Sequence, residues 1–392
     1  MNGGGASPGA GKWPLGLFGM LVLVAAGERF VASHDVDFSN ASASNWKYAG
    51  RDARRTTKPG TVLCLGTSLV KYGVVSRLIE QETGRPAYNL AVCDGHMPSS
   101  YFLLRRALDA GAKPAALVVD CQDGPVSRGD TAGRAEAVRV NLRNWPELLT
   151  LDEWFDLAWT ARDPAFLLEM AVSRVVPSFK ARFEIRKSIV AACQGVPATS
   201  RLDVTALKRN WALNRGTMLM PRRWAPAVED APPEEAAEVL AALPRELYRR
   251  NHVTEAYARR FLTLAASKDI PVFWVLPPSS PEQQAGRDRI GMTAYFTKQA
   301  ADFRNEFPNL TVVDGRRSGY RLEVFWDKVH LDRLGATVFS ADLGAAIAAR
   351  LGKVPADGRW VMLPRFRDRP FSVPLEDVAA SRLATAQSET QR

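Results

Sequence analysis

Apolar positions along this chain fall into two kinds of stretch. Thr61–Leu65, Ala87–Ala91, Ala115–Asp120, Ile270–Leu276 and Leu310–Val313 are short runs of β-branched and apolar residues with little polar alternation. That is the pattern of strands buried on both faces. Between them the apolar residues recur three or four apart, as in Val74, Val75, Leu78 and Ile79, in Ser99–Ala112, in Val253–Ala266, in Ala294–Glu306 and from 334 to 351. Such spacing predicts helices. Strand and helix in alternation predict an α/β fold with a parallel sheet of five strands and right-handed crossovers. The alternation stops between 126 and 250, where only helical pattern remains, so a helical insertion is expected after the third strand. The sheet domain then comprises 61–125 and 251–352.

A chain of 392 residues, 46% of them hydrophobic, can bury one large core together with such an insertion. Charge changes the picture in one place. From Arg174 to Arg223 there are eleven Lys or Arg against two acids, Glu184 and Asp203, which is +9 of the whole chain's +10. Phe179, Phe183 and Trp211 are interleaved with these charges. Two readings fit: a solvated basic face, or a surface for anionic lipid headgroups or an acidic polymer. No nucleic-acid-binding motif accompanies the charge, and nucleic acid is not expected as a partner. At the N-terminus, Gly-rich residues 1–12 are expected to be disordered. Trp13–Ala26 is uncharged and apolar, preceded by Lys12 and followed by Glu28-Arg29. Residues 13–31 therefore read as a signal peptide or a short membrane anchor, and either would export the remainder. Residues 32–60 read as a linker, and 353–392 as an extension with an extended stretch, Trp360–Leu363, before a disordered tail. Cys64, Cys93, Cys121 and Cys193 lack metal-type spacing and a disulfide framework is not expected.

Candidate chemistry lies in two places. Gly66-Thr67-Ser68 ends the first strand and puts a serine at the C-terminal edge of a parallel sheet, where open α/β folds hold ligands. Some 260 residues later, Asp327 precedes His330 by three positions, just before the last helix. An Asp-x-x-His loop lets the carboxylate orient the imidazole while the imidazole reaches a third group, the arrangement a nucleophilic serine needs. Of the other histidines, His96 follows Gly95 at the rim of the sheet and is a candidate for substrate contact. His252 opens a helix and reads as structural, and His34 is uninformative. With no metal-ligand spacing and no Gly-rich phosphate loop, no cofactor is expected.

Taken together, these residues resemble the SGNH (GDSL-type) hydrolase superfamily. Gly66-Thr67-Ser68-Leu69 resembles the first block, with Thr67 where Asp is usual. Asn89-Leu90-Ala91 followed by Gly95 resembles the second, and Asp327-Lys328-Val329-His330 the fifth. The overlap covers roughly 61–124 and 252–350. The third block is absent: the strand end reads Asp120-Cys121-Gln122-Asp123-Gly124 in place of Gly-x-Asn-Asp. The resemblance, which extends to exported or membrane-anchored esterases and O-acetyltransferases, implies a flavodoxin-like three-layer sandwich. It also implies Ser68, Asp327 and His330 as catalytic residues, with Asn89 and Gly95 at the oxyanion and substrate site. Gln122 is the one side-chain amide in the loop that replaces the third block, and it is the candidate third oxyanion donor. The implied reaction is acyl transfer from an ester, or from an ester-bearing polysaccharide, through an acyl-serine. Water as acceptor makes an esterase and a sugar hydroxyl an O-acyltransferase. The rival reading is an inactive membrane-tethered binding module that keeps the fold, to which the missing Asn points.

Overall fold

The computed structural model describes residues 15–33, 41–56, 58–121, 144–180, 190, 193–195, 201–222, 251–351 and 358–390. In chain order, α1 (Leu15–Ser33) and α2 (Ala41–Ala53) precede β1 (Val62–Leu65), α3 (Ser68–Gly73), α4 (Ser76–Thr83), β2 (Ala87–Asn89), α5 (Met97–Asp109) and β3 (Ala116–Asp120). The insertion contributes α6 (Trp145–Leu148), α7 (Leu151–Ala161), α8 (Pro164–Val175), α9 (Pro177–Lys180) and α10 (Arg201–Leu213). The chain then returns to the sheet through α11 (His252–Ala266), β4 (Val272–Leu276), α12 (Pro281–Arg289), α13 (Met292–Glu306) and β5 (Leu310–Asp314). It closes with α14 (Arg333–Ala348), β6 (Trp360–Met362) and α15 (Val378–Thr390).

All the strands pair in parallel, in the order β2-β1-β3-β4-β5-β6. The sheet thus has six strands where five were expected. Trp360–Met362, within the stretch expected to be extended, adds to the free edge of β5 and satisfies backbone groups that would otherwise need water. The five expected strands form as their buried runs demand, and β1, β3, β4 and β5 are buried along their whole length. One apolar layer, formed by α3, α4 and α14, packs on one face of the sheet, with Val70, Leu78, Ile79, Val338, Phe339 and Leu343 at its centre. The other face is covered by α2, α5 and α11 together with the insertion: Trp145, Trp154, Phe166 and Trp211 join Phe102, Tyr257 and Trp274 in a single cluster. The described part of the insertion is therefore fused to the core.

The stretch read as a linker and the tail read as disordered both carry a helix. Within the 32–60 linker, α2 buries Trp46, Ala49 and Ala53, at helical spacing, and Trp46 Nε1 donates to the Cys93 carbonyl at 2.9 Å. Within the tail, α15 packs on α10. The Asn210 and Asn214 side chains both donate to the Glu376 carbonyl at 2.7 Å, and Arg209 grips the Glu376 carboxylate. Residues 1–12 lie outside the described residues. No helix among the described residues is long and apolar enough to cross a membrane.

Candidate active site

The order β2-β1-β3 makes β1 the point at which successive crossovers turn to opposite faces, and ligands of open α/β sheets bind beyond the strand ends there. Ser68 stands just past that end, as the first residue of α3. The turn that presents it is tightly built. Gly66 has φ +132°, and a Cβ on it would lie 2.0 Å from Asp120 Oδ1, so no larger residue fits. Asp120, buried at the end of β3, accepts from the Thr67 N–H at 2.8 Å and from Thr67 Oγ1 at 2.6 Å. Thr67 Oγ1 in turn accepts from the Leu69 N–H as the cap of α3. The carboxylate that the resemblance led us to expect at position 67 is thus supplied from the next strand.

The second half of the site is a closed loop. Phe325 and Leu331 form an antiparallel bridge, the Trp326 N–H donates to the His330 carbonyl at 2.7 Å, and Asp332 caps α14. Within this loop Asp327 Oδ1 accepts from the N–H groups of Val329 and His330, both at 2.8 Å, and Oδ2 lies 2.7 Å from His330 Nδ1. Burial pushes the Asp327 carboxyl up, but the hydrogen bond and charge interaction with His330 and the two backbone donors outweigh it. The pKa lies below the ordinary carboxylate value. An ionised Asp327 has no proton to give, so Nδ1–H donates to it and Nε2 carries the lone pair. Ser68 Oγ lies 2.8 Å from that Nε2 and donates its hydroxyl proton to it. Serine, imidazole and carboxylate are therefore joined in one line, with His330 partly exposed.

Tyr72 packs edge-on against the His330 ring, with centroids 4.9 Å apart, and its hydroxyl lies 2.9 Å from Cys93 Sγ. Burial pushes both groups up, the thiol to about 11, so Cys93 stays protonated at neutral pH and offers no thiolate beside Tyr72. Neither Tyr72 nor Asp120 stood out in the sequence. A tyrosine one helical turn after the serine, and an acid closing a strand otherwise apolar, were the available signals. Lys71 was missed as well. It is fully buried, its Nζ donates to the Gly216 carbonyl at 2.6 Å, and it sits 3.5 Å from the centroid of the Trp211 ring, tying α3 to the insertion. Burial pushes its pKa well below the ordinary lysine value.

The remaining site expectations fare differently. Asn89 is fully buried and spent on the fold: Nδ2 donates to the Val70 and Val74 carbonyls, each at 2.9 Å, and Oδ1 accepts from the Ala91 N–H. It braces α3 against the end of β2. The Gly95 N–H donates to the Val92 carbonyl at 3.1 Å, so it is not free for an oxyanion. Gly95 is needed for close approach, since a Cβ there would lie 2.6 Å from the Gly66 carbonyl oxygen. His96 is the cap of α5, in a reciprocal arrangement with Ser99. His252 Nε2 pairs with the Thr160 carbonyl at 2.8 Å, as befits a structural residue. Gln122 lies outside the described residues. Within the turn, the Thr67 N–H goes to Asp120 and the Leu69 N–H to Thr67, which leaves the Ser68 N–H as its available backbone donor. Among the described residues no group of three His, Cys, Asp or Glu is placed to hold a metal ion. The chain matches no family model and no curated protein.

Proposed function

We propose that this chain transfers an acyl group from an ester through an acyl-Ser68 intermediate. The observation that carries this reading is the continuous line from Asp327 Oδ2 through His330 to Ser68 Oγ, with contacts of 2.7 and 2.8 Å. In the reaction Ser68 Oγ attacks the ester carbonyl carbon while His330 Nε2 takes the hydroxyl proton, and Asp327 stabilises the resulting imidazolium. The oxygen that becomes negative is met by the Ser68 N–H. Collapse returns the proton from His330 to the departing alkoxide and leaves the acyl group on Ser68. An acceptor hydroxyl then gives its proton to His330 and attacks the acyl carbon, and Ser68 is regenerated. Water makes the reaction hydrolysis, a sugar hydroxyl O-acylation.

The strand order 2-1-3-4-5 supports a flavodoxin-like SGNH architecture for the first five strands. We further place the site outside the cytoplasm, on a chain exported or tethered through residues 13–31, with an acetylated envelope polymer as the substrate class. A second reading has one observation in its favour. The Gly95 amide is occupied by Val92, which thins the set of oxyanion donors as an inactive binding module would. Turnover of 4-nitrophenyl acetate separates the two. Ser68→Ala and His330→Ala should each lower kcat by about 10³-fold or more, and the double variant by little further, because the pair acts as a unit. A wild type no faster than its Ser68→Ala variant establishes the binding module.

A further inference from the structure

The outward side of the insertion carries a row of large apolar side chains that the acyl-transfer reading leaves unused. On α7, Leu151, Phe155 and Trp159 follow one another four residues apart and therefore share one face. They are 60%, 60% and 86% exposed, and Leu168 on the adjoining α8 is 67% exposed. The helix beneath them is not loose. Its opposite face buries Trp154, Leu157 and Ala161 in the core, and Thr150 and Glu153 cap its start. Asp156 accepts from Tyr257 and, at 2.8 and 3.0 Å, from Arg260, while the Thr160 carbonyl meets His252. A rigid helix has been given a fixed apolar row with nothing from the described chain to cover it.

The occupant is indicated by α1. Leu17, Phe18 and every residue from Met20 to Val24 are large, apolar and at least half exposed. Successive positions turn by about 100°, so these side chains surround the helix axis. A protein partner docking from one side would cover only part of that circumference, whereas hydrocarbon covers all of it. The polar end of the same helix is tied to the insertion. Glu28 accepts from the N–H of Ser178 on α9 at 2.9 Å, and its other oxygen accepts from the Ser178 hydroxyl. The apolar run of α1 thus begins beside α9, which follows directly on α8. Arg162 and Arg174, both exposed, stand at the C-terminal ends of α7 and α8, as befits contact with anionic headgroups. The run Leu15–Gly27 is about 20 Å long at 1.5 Å per residue, short of the roughly 30 Å hydrocarbon core.

We propose that the Leu151–Phe155–Trp159 row of α7, with Leu168, lies in the headgroup–acyl boundary of an anionic lipid bilayer, so that the insertion rests on the membrane beside α1. The chain then has two points of attachment, and the insertion is held in a fixed orientation to the bilayer plane. Acyl transfer shares with this inference only the attachment through residues 13–31, and its failure would leave the inference standing.

The test uses the full chain with Cys193→Ser, which removes the exposed cysteine and keeps the buried Cys64, Cys93 and Cys121. A bimane fluorophore is placed on Trp159→Cys and, in a second protein, on Phe155→Cys. A control carries it on Lys298→Cys, a position 75% exposed on α13. On vesicles of phosphatidylglycerol and phosphatidylethanolamine, emission at 159 and 155 should shift to the blue and be quenched by nitroxides on the upper acyl chain, with no change at 298. Vesicle-bound protein whose 159 and 155 labels stay aqueous would overturn the proposal, because α1 alone would hold it. A blue shift without vesicles that grows with protein concentration would overturn it in favour of a second copy. Absence of vesicle binding would overturn it outright.

Discussion

Ser68 and His330 meet at 2.8 Å, yet the segments that carry them are held in opposite ways. The serine's turn is fixed from a distance. Asp120 on β3 grips Thr67, Asn89 on β2 grips the carbonyls of Val70 and Val74, and Gly95 presses against the Gly66 carbonyl. These contacts tie β3, β2 and the loop after β2 to the short segment from Gly66 to Val74 that carries the serine. The histidine's loop is fixed largely by itself, through Asp327 and its own backbone between 324 and 335, and from outside the Ser280 N–H donates to the Lys328 carbonyl. A nucleophile must not move as charge develops, and the sheet supplies that rigidity. The base needs only the right ring orientation, which one carboxylate provides.

The comparison breaks most visibly at Gly66. Gly66→Ala puts a Cβ into the Asp120 carboxylate in a backbone conformation that disfavours any side chain, so the turn must shift. Loss of stability of at least about 2 kcal/mol is expected, with activity lost alongside it, and chemical denaturation measures it. Asp327→Asn should do the reverse. The amide oxygen still accepts from Val329 and His330, so the same denaturation should shift by less than about 1 kcal/mol. The imidazole, however, loses its partner for Nδ1–H, and kcat should fall by about 10²–10⁴-fold. Equal destabilisation by the two variants would erase the distinction between the segments.

A smaller effect sharpens it. The Asp327 carboxyl is held below its ordinary value, so its stabilisation of the loop is complete above the unfolded-chain pKa of about 3.9. That stabilisation is lost only as pH falls through the lower folded value. Amide exchange at Val329 and His330 should therefore stay slow at about pH 4 and quicken on further acidification. Protection already lost well above pH 4 would show that the carboxylate does not hold the loop.

The same contrast decides how much was legible in the sequence. Strands β1, β3, β4 and β5 announce themselves because burial on both faces requires continuous apolar runs. Ser68, Asp327 and His330 stand out because the base loop is local, and three-residue spacing survives in the sequence as written. The bracing of the serine does not survive, since the partners of Asn89, Gly95 and Asp120 come from segments far along the chain. The polar groups of Asn89 and Gly95 read as oxyanion or substrate ligands until the folded chain satisfies them, and Asp120 reads as nothing more than the end of a strand. Likewise α2 and α15 are polar on average and become ordered only against the rest of the fold: Trp211 Nε1 donates to Asp52, and Asn210 and Asn214 grip the start of α15. β6 exists because β5 would otherwise expose an edge.

The central claim is that His330, oriented by Asp327, activates Ser68. A fluorophosphonate reacts with a serine oxygen that a base has made nucleophilic, and peptide mass mapping locates the adduct. The account predicts one adduct, on Ser68 in the folded wild type, and its absence from folded His330→Ala. An unlabelled Ser68 in the folded wild type, or equal labelling without His330, would contradict it.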